Sequence, residues 1–267
     1  MTLENDSSIV VLTPLAAEYH EMVAMLSDAS PADGFLAPAT RGRVGKRSVL
    51  VVQSGKGQEA TSAKLALVLE RTDAGVVLLI GIAGGSPALR VKKGDVVVAR
   101  HIYAIEFGKL QEAKFKRRPD PDVSCDVELG LYAENLARHP NSLWRSRIRP
   151  ARPDLSSNDA VTVHTDCYVA SMSKVVDDPD HALFAIPASH VDEIHAVEME
   201  GVGAGASVRQ AQSGRVVQFL MIRGISDEPG ESADGSTVRA CGFRRCRSPS
   251  SVDGDHPVRS MAITDFG

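Results

Sequence analysis

Two acidic side chains each follow closely on the end of an apolar run. Glu18 comes one turn into a predicted helix after the run 9–12, and Asp227 comes soon after the run 216–222. Where such a run is a buried strand, a carboxyl group beyond its end is partly desolvated, which raises its pKa and suits acid–base chemistry. Each residue also has an ordinary alternative. Glu18 would then be a solvated glutamate favoured by the helix dipole, and Ser226 or Asp227 would be a helix N-cap.

A third acidic segment, Val197-Glu198-Met199-Glu200, lies at the start of a predicted helix over 198–210. Side chains two positions apart point to different sides of a helix, so only one of the two glutamates is expected to face any one pocket. The alternative is a solvated pair of surface carboxylates.

A glycine-rich segment, Gly81-Ile82-Ala83-Gly84-Gly85, follows the apolar run 76–80. It predicts a loop where the backbone can approach a ligand closely. The segment matches neither G-x-G-x-x-G nor the P-loop, which argues against a dinucleotide-binding protein and against a nucleoside triphosphatase of the P-loop type.

Metal and cofactor sites find no support in the sequence. The eight His are scattered, and no Ser-His-Asp arrangement is evident. Cys241 and Cys246 have poor spacing for zinc, and no second pair accompanies them. We therefore predict neither a metal nor an organic cofactor.

Composition argues against several classes of protein. The 267 residues carry 30 Lys and Arg against 34 Asp and Glu, a net charge of −4, and only 4% are aromatic, which disfavours nucleic-acid binding. No apolar run approaches the roughly 20 residues of a membrane span, and the first residues are too acidic and polar for a secretory signal. Four scattered Cys predict no disulfide framework, so we expect a cytoplasmic protein.

Strands alternate with helices along the chain, which predicts a single α/β domain with a twisted mixed sheet, largely parallel, flanked by helices in three layers. The first helix should begin at Thr13-Pro14, because Thr is a good N-cap and Pro suits the first helical position. Ligands bind beyond the carboxyl ends of parallel strands, where segments 13–18, 81–85 and 224–227 should meet. Strands are predicted at 9–12, 40–44, 48–53, 76–80, 96–99, 161–163 and 216–222, and helices at 14–26, 60–69, 127–137 and 198–210.

The domain is expected to span 8–228, after an N-terminal extension over 1–7. Segments 106–122 and 140–154 are polar and predict loops. The stretch 229–267 scatters Arg among Ser, Gly, Pro and Asp without apolar periodicity, so we expect an atypical, poorly ordered tail in place of a closing helix.

Taken in order, these segments resemble the nucleoside phosphorylase and nucleosidase superfamily, and within it the 5′-methylthioadenosine/S-adenosylhomocysteine nucleosidases. The resemblance runs from about residue 8 to 228. It is carried by segments 9–18, 54–57, 81–85, 94–98, 197–200 and 223–227, and most specifically by Glu198-Met199-Glu200 and Ile225-Ser226-Asp227 in that order.

The resemblance implies a role for each candidate residue. Glu18 matches the acid that activates the attacking water, and Asp227, with Ser226 beside it, matches the acid that protonates the purine at N7. Glu200 matches the acid that holds the ribose hydroxyls. The remaining substrate-binding candidates are Met199 beside the sugar, Tyr168 stacking on the purine, and Ala83 and Gly84 in the glycine segment. Tyr168 has the alternative of an ordinary core aromatic residue.

The function implied is hydrolysis of the N-glycosidic bond of an adenine nucleoside or derivative, with a small-molecule purine nucleoside as partner and no cofactor. The alternatives are a phosphorylase of the same fold and a nucleoside-sensing module without turnover. The resemblance also implies a homodimer, for which the small-residue helix segment 201–206 would permit close packing. The 5′ substituent stays open, and a nucleotide is conceivable given Lys114, Lys116, Arg117 and Arg118, although a solvated basic loop accounts for them as well.

Overall fold

A computed structural model of the chain describes residues 9–86, 89–111, 114–139, 162–173 and 193–227. The strands are β1 Ile9–Thr13, β2 Ser27–Pro31, β3 Ala39–Val44, β4 Arg47–Gln53, β5 Val76–Gly85, β6 Val96–Ala104, β7 Gly108–Gln111, β8 Lys114–Arg117, β9 Val123–Ser124, β10 Val163–Ser171, β11 Ala196–Glu198 and β12 Gln218–Asp227. The helices are α1 Ala16–Ala24, α2 Gln58–Arg71, α3 Val127–Arg138 and α4 Gly201–Gln212.

The main sheet runs in the order β11-β10-β6-β12-β5-β1-β4-β3-β2, with β9 beside β6. Because β11 also pairs with β5, the strands β11, β10, β6, β12 and β5 close into a ring. β1, β5 and β12 are parallel neighbours, so their carboxyl ends share one edge of the sheet. That edge is where the candidate residues were expected to meet.

The pairings of the main sheet divide evenly in direction. The pairs β1–β4, β1–β5, β5–β12, β6–β10 and β10–β11 are parallel. The pairs β2–β3, β3–β4, β5–β11, β6–β9 and β6–β12 are antiparallel. The prediction of an α/β domain with a mixed sheet is confirmed. The sheet is not largely parallel, because only half of these pairings are parallel.

Four strands, β5, β6, β10 and β12, extend well past their predicted ends. β5 continues through the glycine segment to Gly85 because β12 pairs with it on one side and β11 on the other, so the prediction of a loop at 81–85 is wrong. β12 likewise continues to Asp227, which excludes a helix N-cap at Ser226, while the residues that follow Asp227 lie outside the described part of the chain.

Two predicted helix starts are also wrong. Leu15 is the N-cap of α1, while Thr13 ends β1 and its backbone carbonyl accepts a hydrogen bond from Ser54. Glu198 belongs to β11 and α4 begins at Gly201, so the acidic motif spans a strand-to-helix junction. Segment 106–122, predicted as a loop, contains the β7–β8 hairpin.

The small residues of α4 pack within the chain. Gly203 lies against the backbone of Gln58 at the start of α2, and Gly205 lies against Val123. Residues 201–205 of the segment that was expected to permit close packing between subunits are therefore buried within the chain, and the prediction of a dimer rests on the resemblance alone. The N-terminal extension, segment 140–154 and the tail 229–267 lie outside the described residues.

The contact between α4 and α2 predicts a large effect of a single methyl group. A Cβ atom on Gly203 would lie 2.0 Å from the carbonyl oxygen of Gln58, whereas one on Gly130 in α3 would meet nothing within 4 Å. We expect Gly203→Ala to lower the free energy of unfolding by about 1–3 kcal/mol or more. The matched Gly130→Ala should raise it by about 0.5–1 kcal/mol. Urea denaturation measures both, and equal effects would contradict this packing.

Candidate active site

The candidate residues converge at the shared edge of β1, β5 and β12. The Glu18 carboxyl group, 2% exposed, accepts hydrogen bonds from the backbone N–H of Leu15 at 2.7 Å and of Ile82 at 2.9 Å. These two bonds tie the start of α1 to the glycine-rich half of β5. Its burial excludes the alternative of a solvated glutamate in the first helical turn.

The environment of Glu18 brings its titration into the neutral range, where the protonated and ionised forms are both populated. Burial raises the pKa of Glu18 to about 7, against the opposing influence of the Arg223 guanidinium and the two backbone donors. Glu200 adds a smaller contribution that also raises this pKa. A carboxyl group with this pKa can take up a proton near neutral pH, which is the property that a general base requires.

The centre of the site is Arg223, which projects from β12 and is completely buried. Its Nη2 atom donates to Glu198 Oε2 at 2.5 Å and to Glu200 Oε2 at 3.2 Å. Burial lowers the pKa of Arg223, but the charges of Glu198, Glu200 and Glu18 outweigh it and raise the pKa. Nη1 and Nε of Arg223 have no hydrogen-bond partner among the described residues.

Glu200 is positioned by a second glycine-rich turn. Its Oε1 atom accepts a hydrogen bond from the backbone N–H of Gly57 at 2.9 Å, in the turn between β4 and α2. Gly57 has a φ of +88°, a conformation that favours glycine and aims this N–H at the carboxylate. Burial raises the pKa of Glu200, opposed by the Arg223 charge.

The two glutamates of the acidic motif face the same buried cation. Glu198 and Glu200 both bond Arg223, contrary to the expectation that only one could face a given pocket. The expectation assumed a helix through both residues, whereas the change from strand to helix between them turns both carboxylates inward.

Gly81 leaves the space in which Glu18 and Arg223 meet. A Cβ atom on residue 81 would lie 2.4 Å from Arg223 Nη1 and 2.9 Å from Glu18 Oε1. Any side chain at position 81 would therefore collide with both groups, so the close packing of Glu18 and Arg223 requires glycine here.

The expected purine end of the site lies further along the same strands. Asp227 is opposite Gly84 in the β5–β12 ladder, and Val197 is opposite Gly84 on the other side. The Ser226 hydroxyl donates to the carbonyl oxygen of Ala83 at 3.3 Å. The strand pairing thus places Ala83, Gly84, Ser226 and Asp227 side by side, and their contact with a purine stays a prediction.

Tyr168 and Met199 are both half-buried. The Tyr168 ring stacks on Tyr103 with centroids 5.8 Å apart and planes inclined by 8°, and His195 lies 6.3 Å away on a tilted plane. Tyr168 therefore belongs at least partly to an apolar cluster, and a role in purine stacking stays a prediction.

No role was predicted from the sequence for Arg223 or for the carboxylate of Glu198. The sequence does contain a signal for this role, which is an arginine within the apolar segment 219–225. An arginine in a strand of that kind must be paired with carboxylates, because an unpaired buried charge is strongly unfavourable.

No group of three or more His, Cys, Asp or Glu side chains in the described part of the chain could hold a metal ion. Across the same residues, no helix has the length and apolarity needed to cross a membrane.

Comparison with known proteins gives concordant matches. The family model of the phosphorylase superfamily matches residues 8–241. A 5′-methylthioadenosine/S-adenosylhomocysteine nucleosidase from Colwellia psychrerythraea is 24% identical over 202 residues, which are 72% of this chain and 72% of that protein.

Solved structures of such nucleosidases share the fold. The Streptococcus pyogenes enzyme with 5-methylthiotubericidin has a TM-score of 0.62 at 21% identity, with 82% of this chain and 83% of that chain covered. The Neisseria meningitidis enzyme with methylthio-immucillin-A has a TM-score of 0.63 at 18% identity, covering 84% and 87%. The Colwellia psychrerythraea enzyme with adenine has a TM-score of 0.63 at 18% identity, covering 83% and 82%.

The burial of Glu18 predicts an abnormal titration. We expect the side-chain carboxyl carbon of Glu18 to titrate with a midpoint of about 7, in place of the ordinary value of 4.5. Carbon-13 NMR of protein labelled at glutamate carboxyl groups measures this, and Glu18→Gln assigns the resonance by its disappearance. A midpoint near the ordinary value would contradict the desolvated environment described above.

Proposed function

This chain belongs to the phosphorylase superfamily, and on that premise we propose that it hydrolyses the N-glycosidic bond of an adenine nucleoside or derivative and releases adenine. The observation that carries the proposal is the buried meeting of Glu18, Glu200 and Arg223 at the carboxyl ends of β1, β5 and β12. The adenine-bound and inhibitor-bound nucleosidases of the same fold support the choice of substrate class.

Glu18 is the proposed general base. A water molecule that donates to Glu18 and accepts from Arg223 Nη1 would satisfy a buried donor that otherwise has no described partner. As this water attacks C1′ of the sugar, its proton passes to the Glu18 carboxylate, which must be ionised beforehand. The pKa of about 7 leaves a substantial ionised fraction at neutral pH.

Glu200 acts on the sugar and Asp227 acts on the purine. Glu200 accepts hydrogen bonds from the ribose hydroxyls, with Met199 beside the ring, which fixes the sugar as positive charge develops in it. As the bond from C1′ to the purine breaks, Asp227 gives a proton to N7 and the bonding electrons leave with the purine. Ser226, Ala83, Gly84 and Tyr168 are the proposed purine contacts. The products are adenine and a free ribose or its 5′ derivative.

Several observations favour water over phosphate as the nucleophile. The segment Thr13-Pro14-Leu15-Ala16-Ala17-Glu18 contains no Arg, and the run 76–81 contains none either. The nearby Arg223 is already paired with two carboxylates. A phosphate dianion would therefore meet the Glu18 carboxylate beside a cation, Arg223, whose charge is already shared by two carboxylates, and desolvating the dianion there is strongly unfavourable.

A homodimer and a cytoplasmic location accompany this proposal as predictions. The 5′ substituent of the substrate is left open by the same chemistry, because none of the residues assigned above contacts it.

Hydrolysis predicts that phosphate has no effect on the rate. Adenine release from 5′-methylthioadenosine, S-adenosylhomocysteine or adenosine should proceed equally fast with and without inorganic phosphate, measured by chromatography of the reaction products. Formation of a ribose 1-phosphate at a rate that depends on phosphate would favour a phosphorylase. Binding of nucleoside without any adenine release would favour the sensing module.

The role of Asp227 predicts a separation of binding from turnover. Asp227→Asn keeps the size of the side chain but cannot supply the proton, so adenine release should fall about 10²–10⁴-fold. Nucleoside binding, measured by calorimetry, should be retained because the strand pairing of residue 227 is unchanged. Activity near that of the parent protein would remove Asp227 from the mechanism.

A further inference from the structure

The carboxylate of Glu198 makes more buried contacts than any role assigned above requires. Glu198 is 1% exposed and ends β11. Its Oε2 atom accepts from Glu200 N at 2.8 Å and from Arg223 Nη2 at 2.5 Å, and both oxygens accept from Gly201 N, at 3.0 Å and 2.9 Å. One side chain thus holds the start of α4 and the buried guanidinium together.

These contacts explain why the motif contains two glutamates. Glu200 occupies the N-cap position of α4, yet its own side chain makes no capping bond to the helix. Glu198 accepts from the backbone N–H of Gly201 in its place, a donor that would otherwise be unsatisfied at the helix start. The Glu200 carboxylate is thereby released to reach Gly57 N and the site.

The two glutamates also share Arg223 unequally. The bond from Nη2 to Glu198 is 2.5 Å and that to Glu200 is 3.2 Å, so Glu198 is the nearer counter-ion. Without the Glu198 charge, Arg223 would draw the Glu200 carboxylate into a tighter pair. The positive charge of Arg223 would also be less compensated. Because this charge lowers the pKa of Glu18, that pKa would fall further.

We propose that Glu198 is a positioning residue of the active site: by holding Arg223 and the first turn of α4, it keeps Glu200 available to the sugar hydroxyls and Glu18 available as a base. This inference rests on the proposed function. It differs from a purely structural capping role in that the charge of Glu198, and not only its hydrogen bonds, sets the behaviour of two other residues.

Glu198→Gln and Glu198→Asp test the inference. The amide in Glu198→Gln still offers one oxygen to α4 but presents no charge to Arg223, and Glu198→Asp keeps the charge but is too short to span both partners. In each variant we expect KM for the nucleoside to rise about tenfold or more, since Glu200 is drawn toward Arg223. In Glu198→Gln the acid limb of the kcat/KM profile should move to lower pH, because the Arg223 charge, which lowers the pKa of Glu18, loses its nearer counter-ion.

Asp126→Asn is the matched control. Asp126 caps α3 by accepting from Leu129 N at 3.0 Å, and its carboxyl group bonds Gln218 in place of an arginine. The Asp126→Asn variant should leave both the KM for the nucleoside and the acid limb of the kcat/KM profile unchanged. If the Glu198 variants lose stability but retain the parental KM and acid limb, Glu198 is only a structural cap and the proposal is overturned.

A titration separates this inference from the proposed function. The Glu18 carboxyl resonance should show a lower midpoint in Glu198→Gln than in the parent protein, whether or not the protein turns over a nucleoside. An unchanged midpoint would overturn the inference on its own. Absence of adenine release by the parent protein would instead overturn the proposed function. Should Glu198→Gln fail to fold, the KM of Glu198→Asp decides, since a parental value would contradict the role assigned to Glu198.

Discussion

A guanidinium group buried out of contact with water must be surrounded by carboxylates, and this requirement of Arg223 organises the site. The three carboxylates come from separate parts of the fold: Glu18 from α1, Glu198 from the end of β11 and Glu200 from the start of α4. Removing one partner of a buried ion pair typically costs about 3–5 kcal/mol, because the other charge is left uncompensated. The strand order that brings β1, β5, β11 and β12 to one edge is therefore tied to the chemistry it holds.

The imbalance of three acids to one base has a functional consequence. Burial is the largest influence on Glu18 and outweighs the Arg223 charge, which Glu198 and Glu200 already share, so Glu18 titrates near pH 7. In the proposed reaction this excess of negative potential favours the positive charge that develops in the sugar ring. The same excess disfavours an anionic nucleophile, which agrees with the choice of water.

Local patterns in the sequence were sufficient for much of the fold and part of the site. The apolar runs predicted β1, β5 and β12, and the strands predicted at 40–44 and 48–53 correspond to β3 and β4. The position of Glu18 relative to β1 indicated a carboxyl group facing the sheet edge. The glycine segment 81–85 was misassigned because its strand pairing depends on β11 and β12, more than a hundred residues away. The partnership of Glu198 with Arg223 was missed because the backbone changes from strand to helix within the motif, where no single periodicity applies.

Adenine release by the parent protein and by Glu18→Gln at neutral pH tests the central claim most directly. The parent protein should release adenine and free sugar from an adenine nucleoside. Glu18→Gln, confirmed as folded by circular dichroism, should be slower by about 10²–10⁴-fold because no group remains to accept the proton of the attacking water. Release by Glu18→Gln at nearly the parental rate would contradict the assignment of the buried Glu18 and Arg223 cluster as the catalytic centre.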